Sequence, residues 1–135
     1  VKITIGSAVP PTSGMTCEVT GRNLISGLPK TQTIHATEVY EALKDAVADL
    51  VEAIQTVLER TPPQLASDIF TDGIVLTGGA ASLQGLPEAI YSALHIPCGV
   101  SEDPQTSVVL GCGRALDNLN AYKSVLNESH RGIRR

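Results

Sequence analysis

Residues 73–87 read GIVLTGGAASLQGLP. Ile74, Val75 and Leu76 form a short aliphatic run that Gly78 and Gly79 end. After Ala80, Ala81 and Ser82, an apolar-periodic segment begins with Pro87 near its first turn. The pattern predicts strand, glycine turn, helix. Glycine at the carboxyl end of a buried strand lets the backbone approach a ligand closely, because no Cβ intervenes. The same residues also suit a tight strand-to-helix turn that binds nothing.

Downstream, Leu86, Ile90 and Leu94 line one face of the helix, and residues 98–101 are a second short strand candidate. Asp103 followed by Pro104 predicts a helix start, a capping side chain and then proline at the first helical position. This third helix runs to about Asn120, with Val108, Cys112, Ala115 and Leu119 on one face and Gly111 and Gly113 inside it. Interior glycine costs about 1 kcal/mol against alanine, so two of them predict close packing against a neighbouring backbone or a ligand. The tail SHRGIRR is basic and polar and is expected to be mobile.

Upstream, residues 62–70 (PPQLASDIF) predict one or two helical turns. Residues 37–60 place Val39, Leu43, Val47, Leu50, Val51, Ile54, Val57 and Leu58 at spacings of three and four, an amphipathic helix. Thr37 is its expected cap, Glu38 and Glu41 suit the dipole of its first turn, and Pro62 and Pro63 stop it. At about 24 residues it would be about 36 Å long, enough to run from one subregion to another or to bend. In the first third, KITIG and MTCEVT both alternate around the turn-rich VPPTSG, which on pattern alone predicts a β-hairpin. Residues 21–30 are polar and broken by Gly27 and Pro29, and residues 31–35 suit another strand. Residues 37–120 therefore read helix, strand, helix, strand, helix. Two strands are too few for a finished α/β sheet. Either the β-rich first third completes it or the missing strands lie on other chain.

Composition narrows the classes. A chain of 135 residues suits one domain, and with one Phe, three Tyr and no Trp its core must be aliphatic. Net charge is −4 with no basic run before the last residues, which argues against nucleic acid as the main partner. No apolar stretch is long enough to span a bilayer and no signal peptide is visible. The opening at Val1, in mid-pattern, suggests an excised piece. Cys17, Cys98 and Cys112 lack metal-ligand spacing and are expected to be small buried thiols of a reducing compartment. His35, His95 and His130 are isolated, with no triad arrangement around them.

GIVLTGGAASLQGLP resembles the adenosine motif of the actin and heat-shock-chaperone ATPase superfamily. VKITIGSA (residues 1–8), VTGRNLISGLPKT (19–31), TPPQLASDI (61–69) and SEDPQTSVVLGCGRAL (101–116) resemble the second half of the bacterial actin family MreB/Mbl, in that family's order and spacing. The resemblance covers about residues 1–120. It implies an α/β, actin-like ATPase (ribonuclease H-like) domain II fragment with a small α+β subdomain at its N-terminal end. Residues 1–48 would be the subdomain IIB-like part, 49–120 the IIA-like part with the adenosine motif, and 121–135 a mobile basic tail. It also replaces one reading: VKITIGS would end a helix lining the nucleotide cleft, not form a strand.

By the same resemblance, Lys2 matches a lysine beside the nucleoside, and Gly78, Gly79, Ala80 and Ala81 would form the adenosine wall. The family usually reads TGGG where this chain has Ala80. That position either has an ordinary conformation or the turn is altered, because alanine tolerates positive backbone angles poorly. The intact protein would bind ATP or ADP with Mg2+, and be a slow ATPase. The glycine-rich hairpins and acidic residues that grip phosphate and metal would lie outside this chain. No catalytic residue or metal ligand is therefore assigned here, and this chain alone is not expected to hydrolyse ATP. The intact protein would form ATP-dependent filaments in the cytoplasm, contact the inner membrane through an absent first domain, and work with the cell-wall elongation machinery in rod-shape determination. Its first partner would be itself, with the loops around residues 9–14 and 27–30 as candidate longitudinal contacts or, equally, ordinary exposed turns.

Two readings from other classes compete. One is a stand-alone α/β protein-interaction module without nucleotide. The other is a small enzyme with a Rossmann-type turn, against which stand the missing G-x-G-x-x-G spacing and the missing acidic residue after a second strand. Two glycine-rich phosphate hairpins upstream would separate the first from the actin-like reading.

Overall fold

A computed structural model describes residues 1–12 and 14–128. The apolar spacing over residues 37–60 becomes α2 (Ala36–Glu59), 24 residues long. Its N-cap is His35, whose backbone N–H donates to the Glu38 carboxylate at 2.8 Å. Thr37, the expected cap, lies one residue inside the helix. Pro62 precedes α3 (Pro63–Asp72), ten residues long and thus longer than the predicted turn or two.

The first strand lies where predicted, but its partner does not. Residues 2–6 form no strand. Lys2–Ile5 is a single helical turn, α1, closed by the Ile5 N–H to the Val1 carbonyl at 2.9 Å. Two isoleucines two residues apart cannot separate a strand period from one helical turn, and the family resemblance gave the correct reading. β1 (Thr16–Arg22) pairs antiparallel with β2 (Pro29–His35), from Thr16 opposite His35 to Arg22 opposite Pro29. The segment 23–28 that interrupts the pattern is the hairpin loop. Asn23 Oδ1 accepts from the N–H groups of Ile25 (2.8 Å) and Ser26 (3.2 Å), and the Gly27 N–H donates to the Asn23 carbonyl at 2.8 Å.

The second half follows the predicted order. β3 (Ile74–Leu76) lies parallel to β4 (Cys98–Val100), with α4 (Leu86–Leu94) crossing between them. This is the βαβ unit in which a helix packs back on two parallel strands. The core sits beneath that helix. Ala8, Leu86 and Ile90 are buried together, with Val47, Val51 and Ile54 of α2 and Leu76, Leu83, Leu94 and Cys98 packed around them. It is aliphatic, as composition required.

The hairpin does not complete the β3–β4 sheet: the two sheets remain separate two-stranded units. Val75 of β3 is 69% exposed, an unusual state for a parallel strand, whose faces are ordinarily covered. The third helix starts later than Asp103–Pro104 predicts. Residues 104–106 are a turn, Thr106 is the N-cap, and α5 spans Ser107–Asp117. A further helix, α6 (Leu119–Glu128), occupies the first part of the segment expected to be a mobile tail; the expected tail SHRGIRR lies outside the described residues. A Cβ at Gly111 or Gly113 would meet no atom within 4 Å, so the close packing expected at these glycines is not made within the described residues. No described helix is long and apolar enough to cross a membrane.

Candidate functional site

The glycine turn leaves β3 at Thr77. Gly78 has φ 84° and ψ 167°, a region essentially reserved for glycine. Its N–H donates to the Pro104 carbonyl at 2.6 Å, and its carbonyl accepts from the Ala81 N–H at 3.1 Å. Gly79–Ser82 then make one 3-10 turn, closed by the Leu83 N–H to the Ala80 carbonyl at 3.0 Å. His95 is the one non-glycine residue at positive φ among those described. Ala80 therefore has an ordinary conformation, and the substitution of the family's third glycine needs no strained backbone.

The five predicted residues divide by environment. Gly79 and Ala80 are exposed and Gly78 half-buried. A Cβ built on Gly78 or Gly79 would meet nothing within 4 Å, so the backbone here is open to close approach. Ala81 differs: its side chain is buried and anchors the turn to the interior. Lys2 is exposed on α1 and takes no part in an ion pair among the described residues.

The start of the chain is nevertheless tied to the loop leaving the turn. Ser7 bridges Gln84 in parallel, and the Ala8 N–H donates to the Gln84 carbonyl at 2.8 Å. Gly85, at φ 75°, permits the approach: a Cβ there would lie 2.6 Å from Val9 Cγ2. The structure thus joins the Lys2 segment to the outgoing side of the turn, and gives no hydrogen bond between Lys2 and the turn itself.

Residues that the sequence reading missed hold the turn from its other side. Pro104 accepts from the Gly78 N–H, and the Ser101 N–H donates to the Leu76 carbonyl at 3.1 Å, while Ser107 links Ser101 to Asp103. Parallel pairing of β3 with β4 sets both carboxyl ends side by side, the usual place for a ligand crevice in α/β sheets. That topology was the available signal, since SEDPQTS read locally as a helix start.

Other chemistry is sparse. Cys17 and Cys98 are half-buried and Cys112 exposed, all three free, so the expectation of buried thiols is met in full by none of them and fails outright for Cys112. Burial pushes the Cys98 thiol up from its ordinary value, and the nearby Glu88 carboxylate adds to the shift. No group of three metal-ligating side chains occurs among the described residues. A concavity of about 590 Å³ lies on the hairpin, lined by residues including Arg22, Leu24, Ile25 and Lys30. Leu24 and Ile25 at the hairpin tip are 96% and 98% exposed.

Comparison with known proteins places these elements. MreB5 of Spiroplasma citri bound to ADP superposes with a TM-score of 0.79 at 28% identity, over 93% of this chain and 38% of that one. Its AMPPNP-bound form gives 0.78 over 94% of this chain and 38% of that one. The fold is that of an actin-like α/β protein, seen here in part. A family model described as MreB/Mbl protein matches residues 1–124. The chain belongs to the MreB/Mbl family. The cell shape-determining protein Mbl of Bacillus subtilis is 41% identical over 120 residues, which are 89% of this chain and 36% of that protein. The cell shape-determining protein MreB of Escherichia coli is 42% identical over 122 residues, 90% of this chain and 35% of that protein. The chain spans about a third of the length of the curated relatives it matches.

Proposed function

We propose that this chain forms the adenosine wall of the nucleotide cleft in a bacterial actin-like cytoskeletal protein that determines rod shape. The observation that carries the proposal is the turn at Gly78 and Gly79: open backbone with no atom within 4 Å of either added Cβ, at the carboxyl end of a parallel strand. The nucleotide-bound state of the S. citri relative and the cell-shape role named for the curated relatives support it. Gly78, Gly79 and Ala80 would face the nucleoside, Lys2 would flank it, and buried Ala81 would hold the turn in place. The intact protein would bind ATP or ADP with Mg2+, with filament assembly dependent on ATP and the phosphates and metal held by other parts of the protein. Self-association into filaments, action with the cell-wall elongation machinery, and a cytoplasmic, membrane-associated location complete the proposal.

The test is a chimera in which residues 1–124 replace the matched part of B. subtilis Mbl. Gly79→Val in that chimera should weaken binding of a fluorescent ADP analogue at least tenfold while leaving the thermal unfolding midpoint nearly unchanged, since a branched side chain fills the approach. Equal affinity in a folded variant would make the turn purely structural and favour the interaction-module reading.

A further inference from the structure

A closed set of hydrogen bonds joins the glycine turn to the start of α5. The Ser107 hydroxyl donates to the Asp103 carbonyl at 2.6 Å, and the Oγ atoms of Ser101 and Ser107 lie 3.0 Å apart. A carbonyl only accepts, and a serine hydroxyl has one proton. Ser107 gives its proton to Asp103, so Ser101 is the donor to Ser107. Ser101 is itself fixed by its N–H to the Leu76 carbonyl, and Pro104, next to Asp103, accepts from the Gly78 N–H at 2.6 Å. The connections run Leu76, Ser101, Ser107, Asp103, Pro104, Gly78, and the chain from Leu76 to Gly78 closes the ring.

We infer that Ser101 and Ser107 are positioning residues that hold the glycine turn in its nucleoside-facing shape through the loop carrying Pro104. The inference rests on the nucleoside-wall reading of that turn. Gly78 alone has broad conformational freedom, and the bond to the Pro104 carbonyl selects φ 84° from it. The Pro104 carbonyl is set by its loop, and the two hydroxyls tie that loop to the ends of β4 and α5. Preorganising a ligand-facing backbone lowers the ordering cost of binding, so loosening the ring should weaken binding without removing any ligand contact.

The test uses the Mbl chimera carrying residues 1–124, which supplies the rest of the cleft, with Ser107→Ala, Ser107→Thr and Ser101→Ala. Amide hydrogen exchange is followed by NMR at Gly78 and at Ile90, a fully buried residue of α4, and ADP is titrated while the Gly78 and Gly79 signals are observed. Ser107→Ala should speed Gly78 exchange about fivefold or more, as the loss of one net hydrogen bond predicts, and leave Ile90 exchange nearly unchanged. It should weaken ADP binding by a similar factor. Ser107→Thr, which keeps the hydroxyl, should restore both, and Ser101→Ala should fall between. Unchanged Gly78 exchange, or equal acceleration at Gly78 and Ile90, overturns the inference, as does equal ADP affinity in Ser107→Ala. An unsubstituted chimera whose turn signals ignore ADP overturns the nucleoside-wall reading instead, and the exchange result then judges the ring by itself.

Discussion

Gly78 and Gly79 are adjacent and identical in chemistry, and both leave room for a Cβ, yet they should respond oppositely to alanine. A Cβ at either would meet nothing within 4 Å, so steric contact cannot distinguish them. Backbone conformation does. Gly78 sits at φ 84°, ψ 167°, where an L side chain is strained by about 1–3 kcal/mol. Gly79 opens the 3-10 turn at ordinary angles, so alanine there mainly restricts the unfolded chain and stabilises by about 0.4–1 kcal/mol. For a chain of this size, 1 kcal/mol moves the melting temperature by about 4 °C. Gly78→Ala should therefore lower it by about 4–12 °C, and Gly79→Ala should raise it by about 2–4 °C. Thermal unfolding of both variants beside the wild type, followed by circular dichroism, measures the difference. Equal destabilisation of the two, or a larger loss at Gly79, would refute the assignment of the positive angle to Gly78 alone.

Three further predictions concern the rest of the molecule. Ile90 is fully buried in the core beneath α4, so Ile90→Ala should cost about 2–5 kcal/mol; fully exposed Ile3 should change to Ala within about 0.5 kcal/mol, both read by denaturant unfolding. Thr106 Oγ1 is buried without a hydrogen-bond partner among the described residues, so the near-isosteric Thr106→Val should stabilise the chain by about 1 kcal/mol; a loss in the same assay would mean that the hydroxyl is satisfied. Burial favours the neutral Cys98 thiol and raises its folded-state pKa above the ordinary 9.0. Its contribution is fully present below 9.0 and declines as pH rises through the higher folded-state value, so stability should fall across that alkaline range and Cys98→Ala should flatten the fall.

Elements that carry their own period or punctuation were legible from residue order alone. α2 was legible because eight apolar residues at spacings of three and four exceed any strand pattern, and β3 followed by α4 because glycine and then proline mark the junction. The aliphatic core followed from composition, and the family from five short segments in order. The site was legible as a turn, with Gly78 and Gly79 its evident centre. Pairing between elements emerged only on folding. β1 was readable as a strand, but alternation names a face and not a partner, so only folding showed that residues 29–35 lie beside it and that residues 2–5 coil into a helical turn. It also separated the two glycines, because φ is set by the bond to Pro104, 26 positions away in the chain. Ser101 and Ser107 could not be read as part of the site for the same reason. Their roles exist only once two parallel strands, joined by a helix, bring both carboxyl ends together.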